Sequence, residues 1–168
     1  RDYYNGALYF TPDGSMKMYH KMHLVPFAEY IPFSETFPVL KRLNFGQGNF
    51  TPGRDFTLFK VDSVLFGNLI CYESSIPNIV SQFVRRGAKF LSIETNDSWC
   101  GHTSGVYQHF QIARLRAVEN RVAIARSANT GISGLILPTG EVVEKIPFNE
   151  QKIILAEIPI RDLTSFYM

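Results

Sequence analysis

Cys71 and Lys21 are the two side chains whose type and position in this sequence suit covalent chemistry. Cys71 follows an apolar run, residues 64–70, and precedes a polar segment, residues 72–75. A cysteine at the point where a buried strand opens into a turn is placed as a nucleophile would be. Lys21 lies on another segment, and its ammonium group can stabilise an oxyanion beside that cysteine. The pair therefore predicts acyl transfer through a thioester.

Each of these two side chains also has an ordinary structural explanation when it is taken alone. A cysteine in an apolar run is often a small core residue, because its thiol packs like a hydrophobic group. A lysine is normally solvated at the surface. The chemical interpretation therefore depends on what surrounds Cys71 and Lys21 in the sequence.

The composition is that of one globular domain. A chain of 168 residues, 45% hydrophobic and 19% charged, is long enough to bury a sizeable core. The formal net charge is only +2 and no basic run stands out, which argues against a nucleic-acid partner. The two cysteines form no disulfide framework, and a bond between Cys71 and Cys100 would remove the nucleophile.

The two ends of the sequence suggest a longer protein. The chain opens on Arg1 without an initiator methionine and ends within a pattern at Met168. No stretch reaches the roughly 20 apolar residues that a membrane span needs, and no signal peptide is recognisable. We therefore expect residues 1–168 to be a fragment of one domain, with any membrane segments of the parent protein outside it.

Strand-like and helical segments alternate along the chain, which predicts a layered α/β domain. The predicted strands are residues 7–10, 16–19, 56–61, 64–70, 89–95, 122–126, 132–137 and 151–156. The first predicted helix is capped by Ser74 or Ser75 and continues to about Arg86, with Gly87 as its stop. The second predicted helix runs from near Ser104 to Asn120.

Residues 25–53 interrupt this regular pattern with prolines, glycines and scattered aromatic residues. A loop of this length usually serves a functional site or covers one. We expect it to be a mobile lid that admits acyl chains, with Lys41 and Arg42 near anionic headgroups. The alternative is that its apolar side chains, including Leu40 and Phe45, simply pack over the sheet.

Several segments together resemble a known family. They read YHKMHLVPFAEYIP at residues 19–32, ICYE at 70–73, TNDSW at 95–99, QH at 108–109, ARLRAVENR at 113–121 and ARSANTGISG at 125–134. Over about residues 7–140 the chain resembles the carbon–nitrogen hydrolase, or nitrilase, superfamily. More narrowly, it resembles the apolipoprotein N-acyltransferase branch of that superfamily.

The resemblance implies an α-β-β-α sandwich that carries a Glu–Lys–Cys triad. Cys71 matches the nucleophile and Lys21 the triad lysine. Glu29 matches an additional active-site glutamate that orients the lysine and helps to manage protons. The general-base glutamate of the family precedes the strand at residues 7–10. No residue here matches it, so we expect it outside this chain and expect the fragment alone to be inactive.

Three further positions are implied to support the site. Glu73 and Tyr72 match positions that flank the nucleophile, and Trp99 matches a tryptophan on a loop over the site. Two departures from the family pattern are also present. Ala28 stands where glycine is usual, and Cys100 follows Trp99 where an aromatic residue is common, which places a second thiol near the site.

The resemblance also implies partners and a location. Family members take an acyl chain from a phospholipid and pass it to the N-terminal amine of a lipid-modified apolipoprotein. They reside in the bacterial inner membrane, and their catalytic domain faces the periplasm. No cofactor is implied. A metal is not expected either, because no carboxylate or cysteine completes a site with His20 and His23 or with His102 and His109.

Two other functions remain open at this stage. A soluble amidase of the same superfamily would release the thioester with water instead of an amine. A degenerate binding domain would need no chemistry, although the presence of Lys21, Cys71 and Glu29 argues against it. Several apolar spans upstream of this chain would favour the transferase, and a short soluble lead-in would favour the amidase.

Overall fold

The computed structural model describes residues 2–34, 36–37, 39, 49–101, 103–160 and 165–166. The strands within these ranges are β1 (Gly6–Phe10), β2 (Met16–His20), β3 (Leu58–Val61), β4 (Val64–Ile70), β5 (Phe90–Thr95), β6 (Ala123–Ala128), β7 (Ser133–Ile136) and β8 (Val142–Ile146). The α-helices are α1 (Pro77–Arg85) and α2 (Gly105–Asn120). No helix among the described residues is long and apolar enough to cross a bilayer.

The strands form a hairpin and a larger mixed sheet. β1 and β2 pair antiparallel, and the six-stranded sheet has the order β3-β4-β5-β6-β7-β8. Its three central strands, β4, β5 and β6, run parallel, with α1 and α2 as the crossovers between them. The carboxyl ends of these three strands therefore meet at one edge, which is where open α/β sheets place their sites.

Helix α1 packs on the sheet through one apolar face. Ile79, Val80 and Phe83 are buried at helical spacing, as the sequence predicts. The predicted serine cap is wrong, because residues 71–75 form a 3₁₀ turn and Ile76 is the residue before the helix. Gly87 follows the helix at φ +104°, a conformation that suits glycine.

Helix α2 has nearly the predicted limits and is buried along the face that contacts the sheet. Its buried residues are Val106, Phe110, Ala113, Arg116, Ala117 and Asn120. The left-handed residue Arg121, at φ 52°, ends the helix. Arg116 forms an ion pair with Glu119, at 2.8 Å between Nη1 and Oε2, as expected from their spacing.

The last predicted strand is in the wrong place. Residues 151–156 form no strand, and Ile153 and Leu155 are almost fully exposed. Their β-branched and apolar composition suits a strand, but no neighbouring strand pairs with them in the described chain. The final strand is instead β8, whose charged residues Glu144 and Lys145 conceal the edge-strand pattern.

Candidate active site

Cys71 lies at the junction between β4 and the 3₁₀ turn Cys71–Ser75, as the sequence predicts. Its φ of 52° is left-handed, which costs a non-glycine residue about 1–2 kcal/mol. The thiol is free and the residue is partly exposed. A strained junction of this kind is how other folds lift a nucleophile above the end of a strand.

Cys71 opens onto a cavity of about 770 Å³ at the carboxyl ends of β4 and β5. Glu29 and Trp99 border the same space. The other lining residues are Tyr4, Asn5, Gly6, Ala28, Phe50, Ile70, Glu94, Thr95, Asn96 and Ser98. The cavity therefore brings the predicted nucleophile together with the predicted supporting glutamate and tryptophan.

Lys21 is held against Glu29 just after β2. Its side chain is 1% exposed, and Nζ donates to both Glu29 carboxylate oxygens, at 2.9 Å to Oε1 and 2.7 Å to Oε2. Glu29 also accepts from Asn5 Nδ2 at 2.8 Å and from the Val25 amide at 2.7 Å. The carboxylate that lines the cavity is therefore the group that fixes the lysine.

Glu73 joins the lysine segment to the nucleophile turn. It is fully buried, and Oε1 accepts from the Tyr19 hydroxyl at 2.8 Å and from the amides of Met22 at 2.7 Å and His23 at 3.1 Å. Oε2 accepts from the Ile70 amide at 2.9 Å. Burial raises the pKa of Tyr19 far above its usual value, and the charge of Glu73 adds to this, so the phenol remains a donor.

Trp99 and Tyr72 are placed differently. Trp99 is mostly exposed beside the cavity, and its Nε1 donates to the Asn96 carbonyl at 2.9 Å. Tyr72 is also exposed, but it is not among the residues that line the cavity. The structure therefore brings Trp99 to the space in front of Cys71 and leaves Tyr72 outside it.

A second set of polar side chains lies behind the nucleophile. Asp97, after β5, accepts from His109 Nδ1 at 2.8 Å through Oδ1 and from Arg126 Nη2 at 2.8 Å through Oδ2. His109 Nε2 lies 3.0 Å from Ser74 Oγ, which donates to the Cys71 carbonyl at 2.8 Å. This chain of contacts connects a buried ion pair to the backbone of the nucleophile.

The charges in this set are strongly coupled. Burial raises the pKa of Asp97, but the hydrogen bond from His109 and the charge of Arg126 outweigh it, so the pKa lies below its usual value. Burial lowers the pKa of Arg126, and the charge of Asp97 and the thiol of Cys71 partly oppose this. Arg126 Nη1 is buried without a hydrogen-bond partner among the described residues.

The second thiol, that of Cys100, interacts with Asp97 and Cys71. Burial raises the pKa of Cys100, and the charges of Asp97 and Cys71 add to the effect. Cys100 is free and partly exposed. A thiol whose pKa is raised is a poor nucleophile at neutral pH, which separates Cys100 from the role predicted for Cys71.

The sequence did not assign roles to the residues that support the two sides of the site. Asn5 donates to Glu29 on one side. On the other side, the hydrogen-bonded side chains behind Cys71 are Ser74, Asp97, His109 and Arg126. One signal was available for Asp97. It follows β5 as Cys71 follows β4, and neighbouring parallel strands place such residues at the same edge.

A second cavity, of about 580 Å³, lies beside the loop that follows Lys21 and shares Phe50 with the first. Its walls are mostly apolar, and the lining residues are Met22, His23, Leu24, Tyr30, Ile31, Pro32, Phe33, Ser34, Asn49, Phe50, Thr51 and Pro52. Ile31 is buried, but Phe33 is 75% exposed. The loop is therefore anchored where Ile31 and Ser34 are buried, and it is open at other residues.

Parts of two predictions fall outside the described residues. Leu40, Lys41, Arg42 and Phe45 of the predicted lid lie there, as does His102 of the metal alternative. Among the described residues, no group of three or more histidine, cysteine, aspartate and glutamate side chains is arranged to hold a metal ion.

Solved structures similar to this chain share its fold. A carbon–nitrogen hydrolase from Helicobacter pylori matches with a TM-score of 0.68 and 19% identity, over 89% of this chain and 55% of the other. The nitrilase-superfamily protein Nit3 from Saccharomyces cerevisiae matches with a TM-score of 0.65 and 22% identity, over 88% and 51%. The predicted nitrilase-like α/β fold is therefore confirmed, and the chain covers about half of either structure.

Curated relatives are similar at the level of sequence. An apolipoprotein N-acyltransferase from Chlorobaculum tepidum is 42% identical over 173 aligned positions, which cover 98% of this chain and 32% of the relative. One from Geobacter metallireducens is 36% identical over 166 positions, again covering 98% and 32%. The chain thus spans about a third of the length of these relatives.

The family model for carbon–nitrogen hydrolases provides the broadest match. It covers residues 1–167, which include the cavity, the lysine segment and the nucleophile turn. Because this match extends over nearly the whole sequence and agrees with the fold, the chain belongs to the carbon–nitrogen hydrolase family.

Proposed function

We propose that the protein containing this chain transfers a fatty acyl group from a phospholipid to the N-terminal amine of a diacylglyceryl-modified apolipoprotein. The observation that carries the proposal is the cavity where Cys71 faces Glu29, the carboxylate that holds Lys21. The similarity to curated N-acyltransferases supports the choice of substrates.

In the first half-reaction, the Cys71 thiolate attacks the carbonyl carbon of the phospholipid ester. The C–S bond forms first and gives a tetrahedral intermediate; the ester C–O bond then breaks, and the lysophospholipid oxygen takes the proton that the thiol gave up. Lys21 stabilises the oxyanion of the tetrahedral intermediate, and Glu29 orients the lysine. The thiol proton passes to the general-base glutamate that the family resemblance places outside this chain.

In the second half-reaction, the apolipoprotein amine attacks the thioester carbon. The C–N bond forms, the C–S bond breaks, and Cys71 leaves as a thiolate while the amine gives its proton to the same general-base glutamate. The same oxyanion position is used again, so Lys21 serves both steps. Trp99, exposed beside the cavity, provides an apolar wall for the acyl chain.

The loop after Lys21 supplies the apolar surface that such a donor requires. Phe27, Phe33, Phe37 and Val39 are exposed, and the second cavity lies among the residues of the same loop. Phe33 borders this mostly apolar cavity, and such a surface with further exposed apolar side chains on the same loop suits a lipid better than a small polar amide. We therefore assign the acyl chains to this side of the site.

The proposed substrates also set the location and partners of the protein. Both the donor and the acceptor are anchored in a bilayer, so the domain works at a membrane surface. We place it on the periplasmic side of the bacterial inner membrane, where the parent protein meets phospholipid and apolipoprotein. Water in place of the amine would hydrolyse the thioester; in the amidase alternative the substrate is a small amide, and its acyl group leaves as a carboxylic acid.

The experiment uses the full-length protein and a phospholipid with a labelled acyl chain. Wild-type protein should acquire a label that hydroxylamine removes, because hydroxylamine cleaves thioesters. Cys71→Ala and Cys71→Ser should acquire none, since a serine hydroxyl is far harder to ionise than a thiol. Cys100→Ser is the matched control and should label normally.

The acceptor decides between the two functions. Addition of a diacylglyceryl peptide with a free N-terminal amine should move the label to that peptide. Label that is released only as free fatty acid, even with this acceptor in excess, would show that water resolves the thioester and would support a hydrolase instead of the transferase. Persistent labelling of Cys71→Ala would remove Cys71 from the mechanism.

A further inference from the structure

The groups behind Cys71 determine which of them donates each hydrogen bond. The Cys71 carbonyl can only accept, so Ser74 must give it its single hydroxyl proton across the 2.8 Å contact. His109 Nε2 lies 3.0 Å away and can donate to the remaining lone pair of Ser74 Oγ. The Cys71 carbonyl, the Ser74 hydroxyl and the His109 imidazole are therefore linked by two consecutive hydrogen bonds.

At the other end of this series of hydrogen bonds, His109 contacts Asp97. His109 Nδ1 lies 2.8 Å from Asp97 Oδ1, and the hydrogen bond helps to keep the pKa of Asp97 below its usual value. An ionised carboxylate only accepts, so Nδ1 donates to it. Thr95 Oγ1 also donates to Asp97, at 2.9 Å, and Arg126 holds the second carboxylate oxygen. Asp97 is therefore a fixed anion that orients the imidazole.

The set has the contacts of a Ser–His–Asp triad but not its exposure. In such a triad the serine hydroxyl faces substrate and gives its proton to the histidine. Ser74 is fully buried and gives its proton to a backbone carbonyl instead. It cannot reach a substrate, so the set is not a second nucleophilic centre.

We propose that Asp97, His109 and Ser74 form a positioning relay that holds Cys71 in its left-handed conformation, with its thiol directed for acyl transfer. The residue stays at φ 52° against an intrinsic preference, so some local interaction must stabilise it. The bond from Ser74 to the Cys71 carbonyl acts directly on that peptide unit. His109 acts through Ser74 and is a positioning residue.

The charged groups around the relay also favour this role. His109 faces Asp97, Ser74 and, at 3.2 Å from Nδ1, Arg126 Nη2. Arg126 is buried on β6 and forms an ion pair with Asp97, at 2.8 Å between Nη2 and Oδ2. The relay therefore combines a geometric constraint on the nucleophile with a nearby buried cation.

Two amide substitutions at one position test the relay in the full-length protein. Glutamine can place its Nε2 near that of histidine and so keep the donor to Ser74. Asparagine can place its Nδ2 near the histidine Nδ1 and so keep only the donor to Asp97. The measured quantities are the rate at which iodoacetamide alkylates Cys71, followed by mass spectrometry, and the single-turnover acylation rate.

We expect His109→Asn to slow both rates about tenfold and His109→Gln to remain within about threefold of wild type. These factors match one net hydrogen bond. Ser74→Ala, which removes the last donor, should match His109→Asn, and the apparent affinity for phospholipid should not change. Urea midpoints of the variants identify any general loss of stability.

Equal rates in the two His109 variants would overturn the relay, because a packing role does not distinguish the two amides. Normal alkylation of Ser74→Ala would overturn it as well, and this variant decides if His109→Asn does not fold. The acylation readout rests on the proposed function, but alkylation does not. Failure of wild-type protein to form a thioester would therefore reject that function and leave the relay measurable.

Discussion

Two regions border the space in front of Cys71, and they are stabilised in opposite ways. The nucleophile region comprises the turn Cys71–Ser75 with Asp97, His109 and Arg126, and it is held by buried polar contacts. The aromatic loop comprises described residues 25–34, 36–37 and 39, and it exposes several large apolar side chains. The nucleophile region therefore holds its side chains in fixed positions, whereas the aromatic loop presents an apolar surface.

This difference matches what the two halves of the proposed reaction demand. A nucleophile must be held within a narrow range of positions, which directed hydrogen bonds provide at a cost in desolvation. A fatty acyl chain has no fixed shape, and an apolar surface can receive it without directed contacts. Lys21 lies where the regions meet, because Glu29 belongs to the loop and lines the cavity.

The largest expected effect is at this meeting point. Lys21→Ala should slow acyl-enzyme formation by about 10²–10³, the usual cost of removing an oxyanion donor. Lys21→Arg should not restore the rate, since a planar guanidinium differs in shape from an ammonium group. Single-turnover labelling from phospholipid measures both. Lys60→Ala, an exposed lysine on β3, is the control, and wild-type rates for Lys21→Arg would remove the lysine from the mechanism.

The next effect is on the free energy of unfolding. Glu73→Gln should cost about 1–3 kcal/mol, because the amide group that replaces one oxygen would face a buried donor such as the Ile70 amide. Urea unfolding of the purified protein measures the change. Glu144→Gln makes the same substitution at an exposed site on β8 and should stay within about 0.5 kcal/mol of wild type. Equal midpoints would show that Glu73 does not join the two segments.

Substitutions in the aromatic loop should reduce phospholipid use without changing the stability of the fold. Changing Phe33, Phe37 and Val39 to serine should weaken phospholipid use about three- to tenfold, because each removes exposed apolar surface. The urea midpoint and the alkylation rate of Cys71 should remain near wild type. Steady-state kinetics with phospholipid vesicles measure the first effect. A triple variant that unfolds would show that these side chains are core, and the lid interpretation would fail.

The sequence predicts elements best where periodicity and local signals agree. Strand β4 is found at its expected limits, since it is a largely apolar run, and helix α1 buries the apolar face that its spacing predicts. The strand expected at residues 151–156 fails because strand formation needs a partner that propensity does not reveal. Strand β8 was missed for the same reason, since pairing with β7 stabilises it despite its charges.

The candidate site likewise contains residues that the sequence predicted and contacts that it did not. Cys71, Lys21 and Glu29 were predicted from motifs; the structure places Cys71 and Glu29 on one cavity, and Lys21 donates to Glu29. Their catalytic roles stay predictions until the labelling experiments are done. The contacts of Ser74 with His109 join residues far apart in the sequence, so no local pattern announces them. Such contacts are a property of the packed sheet edge.

The smallest expected effect concerns acid and the nucleophile region. The pKa of Asp97 is lower in the folded protein than its usual value, so the carboxylate stabilises the fold above about pH 4. This contribution is lost as the pH falls through the folded pKa. Asp97→Asn should therefore show a flatter decline of the urea midpoint below pH 4 than wild type. The exposed Asp62→Asn, in the turn between β3 and β4, should leave the decline unchanged. If Asp97→Asn keeps the wild-type slope, the ion pair with Arg126 does not stabilise the fold, and the contrast between a fixed nucleophile region and an open loop loses its electrostatic basis.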